Sequence, residues 1–192
     1  MELIRGISGI RGIVGKNLTE SVVIRYIQAF SEIQSTGAIL LARDSRAHGA
    51  SFIHTAAEAL SGCGRNVINY GIIPTPTAQF LVEQNKLAGG IVITASHNPI
   101  QWNGLKFIDA DGCFLSGDKN KKLFAIADSD QTHDFTPGSV KTIENGYLPH
   151  INHTLNLSII DAGAIEKRSF TVVVDAVNGA ASSALPAMVK TL

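Results

Sequence analysis

"GGIVITASHNPIQWNGLK", residues 89–106, runs an unbroken apolar stretch straight into a polar loop. Residues 89–94 show no apolar/polar alternation, the pattern of a short strand buried on both faces. Ser96 and His97 follow at once. Asn98-Pro99 and Asn103-Gly104 read as turn formers, and Lys106 returns the chain to apolar sequence. Functional side chains in open α/β sheets collect just past the carboxyl ends of strands. The stretch therefore reads as a strand feeding an active-site loop, provided its neighbours build such a sheet.

They do. "AILLA", 38–42, is a second apolar run ending in the polar "RDSR", and "NVINY", 66–70, is a third. Between them, His48 to about Ser61 carries Phe52, Ile53, Ala56, Ala57 and Leu60 at helical spacing, and a helix from about Thr77 follows the proline-bounded turn "PTPT". Upstream, Thr19 is placed to cap a helix with Val23, Tyr26, Ile27, Phe30 and Ile33 on its apolar face and Gly37 as its stop. After a leading helix the order is βαβαβ, which predicts an α/β layered domain with a mainly parallel, mixed sheet flanked by helices. The "RDSR" and "ASHN" loops are expected at one sheet edge.

Downstream, "LKFI" and "CFLS" flank "DADG" as a predicted hairpin. Residues 117–127 read as a helix, 128–146 as a turn-rich surface run, and 147–158 and 161–168 as helices. "FTVVVD", 170–175, reads as a buried strand, with a last helix opening at "NGAAS". One strand and one helix bury few of their apolar faces alone. The expected division is a first domain over 1–158 and the start of a second, similar domain over 159–192. At the N-terminus Gly6, Gly9, Gly12 and Gly15 recur every third residue, too briefly for collagen; a strand with a Gly-rich turn is the plainer reading.

Composition narrows the function. The chain has 192 residues, 45% hydrophobic and 17% charged, with 16 basic against 16 acidic side chains. Such a chain can build a packed core, and a neutral balance disfavours a nucleic-acid or membrane-surface partner. Lys119, Lys121 and Lys122 read as a solvated helix face. Cys63 and Cys113 lack disulfide or metal spacing, and no segment has the length of a signal core or membrane span. A cytoplasmic protein with free thiols is expected. Asp109 and Asp111 are explained by turn chemistry, and His48, His54, His133, His150 and His153 are too scattered for a metal site.

What chemistry suits Ser96? A nucleophile elbow needs glycine two residues either side, where this chain has Thr94 and Asn98. His97 is adjacent in sequence and points away in extended chain, so it is a poor base for Ser96. The Walker pattern is absent. Phosphoryl chemistry fits better: a hydroxyl on a small-residue loop, Arg11 and Arg46 as charge clamps, and Lys106 behind a turn. A phosphorylated serine presents about two negative charges and three acceptor oxygens.

"TASHNPIQWNGLK" resembles the phosphoserine loop of the α-D-phosphohexomutases, the family of phosphoglucomutase, phosphomannomutase and phosphoglucosamine mutase. "SGIRG", 8–12, is similar to that family's N-terminal signature. "ARDSR", 42–46, is similar to its next segment, with Ala42 where glycine is usual, and "VVVDAVNGAAS" to the start of its second domain. The resemblance implies that Ser96 carries a phosphoryl group, gives it to a hexose phosphate substrate, and takes back another from the bisphosphorylated sugar. It implies catalytic roles for Lys106, as acid/base, and for Arg11 and His97. Ser8, Arg46 and Asn98 become substrate-binding candidates, although an inter-loop ion pair suits Arg46 equally. It further implies a Mg²⁺ ion on the Ser96 phosphate and a hexose bisphosphate activator. The family's D-G-D-x-D-R cluster, which holds Mg²⁺ in the second domain, is absent here, as are its later sugar and phosphate loops. The expectation is therefore an N-terminal fragment, inactive alone, whose partners are the missing C-terminal domains of its own chain. A non-catalytic phosphosugar- or partner-binding domain that retains the loop is the competing reading.

Overall fold

The structure is a computed structural model that describes residues 2–129 and 136–192. His133 and the middle of the 128–146 run lie outside the described residues. A seven-stranded mixed sheet forms the centre, in the order β1-β2-β6-β5-β3-β4-β7. β3 (Ile39–Arg43) pairs in parallel with both β5 (Gly89–Ile93) and β4 (Val67–Ile72). This is the βαβαβ unit expected from sequence. β6 (Trp102–Ile108) runs antiparallel to β5, and the hairpin of β1 (Ile4–Gly6) and β2 (Gly9–Ile13) adds to it.

The period-2 split of each central strand builds two cores. Ile39 and Leu41 of β3 and Ile91 and Ile93 of β5 face α1 (Glu20–Ile33), α2 (Gly49–Gly62) and α4 (Gly117–Ala127). Leu40, Ala42 and Val92 face α3 (Thr75–Gln84). Residues 89–93 are buried throughout because both faces of β5 are covered. On the first face Phe107 of β6 stacks on Phe30 of α1, ring centroids 5.3 Å apart. Thr19 caps α1 by accepting from the Val22 N–H.

The structure corrects several sequence readings. α1 closes at Ile33, and Arg65 donates to the carbonyls of Ser31, Gln34 and Ser35, so the helix end needs no glycine stop at Gly37. Asn103-Gly104 is no turn; both lie inside β6. A Cβ on Gly104 would sit 2.3 Å from the Ile10 carbonyl oxygen, so glycine is there to let β2 approach. The "LKFI"/"CFLS" hairpin shrinks to a single bridge, Ile108 to Phe114, because β5 holds one edge of Leu105–Ile108 and β2 occupies the other as far as Lys106. Trp102 belongs to β6 rather than to a loop. β7 (Val140–Thr142), unforeseen in a polar run, pairs in parallel with β4.

The largest departure is at 170–175. "FTVVVD" forms no strand, and Phe170, Val172 and Val173 are exposed, Val173 by 91%. A strand persists only with a hydrogen-bonding neighbour, and no described strand lies beside it. Residues 159–192 hold only α6 (Ala162–Glu166) and α7 (Ala184–Val189), the latter starting later than "NGAAS".

α5 (Leu148–Leu155) docks on α3 through a histidine pair. The Thr77 hydroxyl lies 2.9 Å from His150 Nδ1, and the Phe80 ring lies 4.8 Å from the His150 ring and 4.9 Å from that of His153. Burial, then the neighbouring His153, holds His150 below the usual histidine value. Because the folded value is the lower one, this docking is intact above the ordinary histidine pKa and is lost as pH falls through the depressed folded one. Titration by NMR should show His150 protonating below the ordinary value, with amide protection in α5 falling in step. A His150 that titrates at or above that value would contradict the packing.

Candidate active site

The sheet brings the sequence-selected residues to one edge. β3 ends into Asp44–Arg46 and β5 into Thr94–Ser96. The register Arg11↔Gly104, with the Thr94 N–H donating to the Gly104 carbonyl, sets Arg11 level with the start of the serine loop. Lys106 pairs across to Gly9 on one side and Val92 on the other. Gly9, at φ +122, lets the hairpin lie against β6: a Cβ there would meet the Leu105 carbonyl oxygen at 2.0 Å. The result is a cleft of about 360 Å³ lined by Ser8, Arg11, Thr94, Ser96, His97 and Lys106, among others.

Ser96 is exposed and sits at φ +55, a left-handed conformation that costs a non-glycine residue about 1–2 kcal/mol. Its backbone is held from both sides. The Ser96 N–H donates to Thr94 Oγ1 at 3.0 Å, and its carbonyl accepts from Arg46 Nη2 at 2.8 Å. Strained backbone of this kind persists only where surrounding structure fixes it.

Arg46 is not free for a ligand. Its Nε donates to Asp44 Oδ2 (3.1 Å), Nη1 to the carbonyls of Pro99 (2.9 Å) and Trp102 (3.2 Å), and Nη2 to those of Ser96 and Asn98 (2.7 Å). All the donors of a guanidinium are thereby taken. The inter-loop pair is the geometry observed for Arg46. Arg11 Nη1 donates to Asn98 Oδ1 at 3.2 Å, joining the hairpin to the serine loop. Both Arg11 and His97 are exposed at the cleft.

Lys106 is half-buried on the α3 side of β6, its ammonium 5.5 Å from the centroid of the Phe114 ring. Burial pushes its pKa below the usual lysine range, and the Asp44 carboxylate opposes part of that shift. A lysine so placed has a larger neutral fraction at working pH, as proton transfer requires.

Two residues escaped the sequence reading, Asp44 and Thr94. Asp44 accepts from the Arg46 N–H and Nε and from the Thr94 hydroxyl (2.7 Å), and Thr94 in turn accepts from Ser96. Asp44 stood inside "RDSR", but a carboxylate between two arginines in sequence looks like an ordinary ion pair. Arg5 lies outside the cleft, paired with Asp128 and bonded to the Tyr26 hydroxyl.

Among the described residues no three His, Cys, Asp or Glu gather to hold a metal ion. Asp44, the acid nearest the loop, has both oxygens engaged. Among the described residues no set of side chains fits a Mg²⁺ site, and a phosphate on Ser96 would be the ligand the cleft offers. A larger cleft, about 540 Å³, opens between α1 and the start of β4 and holds none of these residues. No helix of the described residues is long and apolar enough to cross a membrane.

The chain is similar to a probable phosphoglucosamine mutase of Methanopyrus kandleri, 31% identical over 96% of this chain and 40% of that protein. It is 33% identical to the phosphoglucosamine mutase of Helicobacter pylori strain Shi470, over 97% of this chain and 44% of the relative. A putative phosphomannomutase from Thermus thermophilus superposes with a TM-score of 0.82 at 26% identity, over 98% of this chain and 43% of that one. The chain thus spans less than half the length of these relatives. Residues 2–134 match the family description "Phosphoglucomutase/phosphomannomutase, alpha/beta/alpha domain I". With that match across most of the layered domain, and the serine loop at its sheet edge, this chain belongs to the phosphoglucomutase/phosphomannomutase family.

Proposed function

We propose that this chain is the phosphoserine-bearing part of a phosphohexomutase that interconverts hexose 1- and 6-phosphates, with hexosamine phosphate as the favoured substrate. The observation that carries the reading is Ser96: exposed, held at positive φ, and sharing one cleft with Arg11, His97 and Lys106. The names of the relatives above favour the hexosamine.

In this reading the phosphoryl group leaves Ser96 Oγ for a sugar hydroxyl. The Oγ–P bond breaks as the sugar O–P bond forms; the hydroxyl gives up its proton and Oγ acquires one. Lys106 delivers a proton to Oγ and is reprotonated by the one the sugar hydroxyl releases; the return step runs the same exchange in reverse. Arg11 offsets the charge that develops on the transferred oxygens, while His97, Asn98 and Ser8 hydrogen-bond sugar or phosphate. The bisphosphorylated sugar turns round and returns its other phosphate to Ser96. A hexose bisphosphate activator loads the serine at the start.

The direct test is enzymatic, on the complete reading frame that carries residues 1–192. It should isomerise glucosamine phosphate in preference to glucose or mannose phosphate once primed with bisphosphate; a folded protein inert toward all three contradicts the proposal. Residues 1–192 alone should show no isomerisation and only weak Mg²⁺ affinity by calorimetry. Mg²⁺ wants octahedral oxygen coordination with carboxylates, and no described segment closes over the cleft to retain the bisphosphate. Turnover by the 192-residue chain would show that the site is complete without further domains.

A further inference from the structure

We infer that Asp44 and Arg46 form a lock that sets the backbone conformation of Ser96, so that Arg46 is a positioning residue of the serine loop and not a substrate ligand. Its bearing on catalysis rests on Ser96 being the phosphoryl acceptor; the lock itself does not.

The geometry is convergent. One guanidinium gathers four carbonyls, those of Ser96, Asn98, Pro99 and Trp102, which span the loop from the serine to the first residue of β6. Carbonyls repel one another when turned inward, and a planar cation with a fan of donors is the side chain able to hold four of them. Asp44 completes the lock. One oxygen fixes the Arg46 backbone N–H (2.9 Å), the other its Nε and the Thr94 hydroxyl. Thr94 Oγ1, oriented by that bond, receives the Ser96 N–H. Residue 96 is therefore gripped at its N–H through Thr94 and Asp44 and at its carbonyl through Arg46. The two grips meet in one ion pair, whose side chains are 13% and 18% exposed, well shielded from solvent. The same strand ends fix the base of the lock, since the Asp44 N–H donates to the Ile93 carbonyl.

Lysine cannot reproduce this grip, having a point charge and no planar fork. Amide hydrogen exchange on the 192-residue chain, which needs neither phosphate nor sugar, tests it. Arg46→Lys, Arg46→Ala and Asp44→Asn should each speed exchange at Ser96, Asn98 and Trp102 by at least ~10-fold while Leu40 and Ile91 keep their protection. Guanidinium ion should restore slow exchange in Arg46→Ala but not in Asp44→Asn. In the complete reading frame, Arg46→Lys should lower kcat with KM nearly unchanged, because no Arg46 donor is left to touch a substrate. Unchanged exchange in all three variants, or a loss of protection spread equally over the core, overturns the lock. A raised KM with unchanged kcat would restore Arg46 as a substrate ligand.

Discussion

Ser96→Ala should abolish phosphoryl transfer, lowering kcat by at least ~10⁴-fold, because the variant has no oxygen to carry the group between the two half-reactions. The same change should leave the fold in place. Every bond described at residue 96 runs through its backbone N–H and carbonyl, which alanine keeps. Alanine also tolerates φ +55 no worse than serine does, so thermal stability should move by less than ~0.5 kcal/mol. Turnover assays of the complete reading frame, read alongside a thermal melt of the variant, check both halves. Retained turnover in the variant would remove Ser96 from the chemistry.

Lys106→Met and Arg11→Ala should each lower kcat by at least ~10²-fold, the usual scale for a lost acid/base or a lost charge on a developing oxyanion. The two variants separate catalysis from folding in opposite ways. Arg11 is exposed, and Arg11→Ala loses its bond to Asn98, so a small loosening of the loop accompanies the rate loss. Lys106 is held below the usual lysine pKa by burial. The unfolded chain therefore binds the proton more readily than the folded one between the two values, and stability of the wild type rises with pH across that window. Lys106→Met keeps the stem's packing and removes the buried charge. It should be at least as stable as wild type at neutral pH, with the difference shrinking as pH climbs from the depressed value to the ordinary lysine one. A variant that is both less stable and fully active would make Lys106 a structural residue.

Much of the architecture was legible because its signals are local. β3, β4 and β5 announced themselves as short apolar runs, and α1 by its Thr19 cap and period. Readings failed where a distant partner decides the outcome. Asn103-Gly104 has the chemistry of a turn, yet β2 pairs with it on one side and the Thr94 N–H bonds the Gly104 carbonyl on the other, and only the close approach of Ile10 shows why glycine is needed. β7 has no apolar pattern at all; its pairing with β4 creates it. "FTVVVD" has every propensity for a strand and nothing described beside it to pair with. The site followed the same rule. Ser96, His97 and Lys106 stood together in one quoted stretch, and Arg11 was marked by its glycines. The roles of Asp44 and Thr94 depend on the ends of β3 and β5 lying side by side, and that adjacency is not written in any window of the sequence.

The most direct measurement of the central claim is where the phosphoryl group goes. The complete reading frame, incubated briefly with hexose bisphosphate labelled in its phosphoryl groups, is quenched, digested and mapped by mass spectrometry. The account predicts one labelled residue, Ser96, in the peptide spanning "TASHNPIQWNGLK", and no label in the Ser96→Ala variant. Label on any other residue, or transfer between sugars with no protein-bound label, would contradict it.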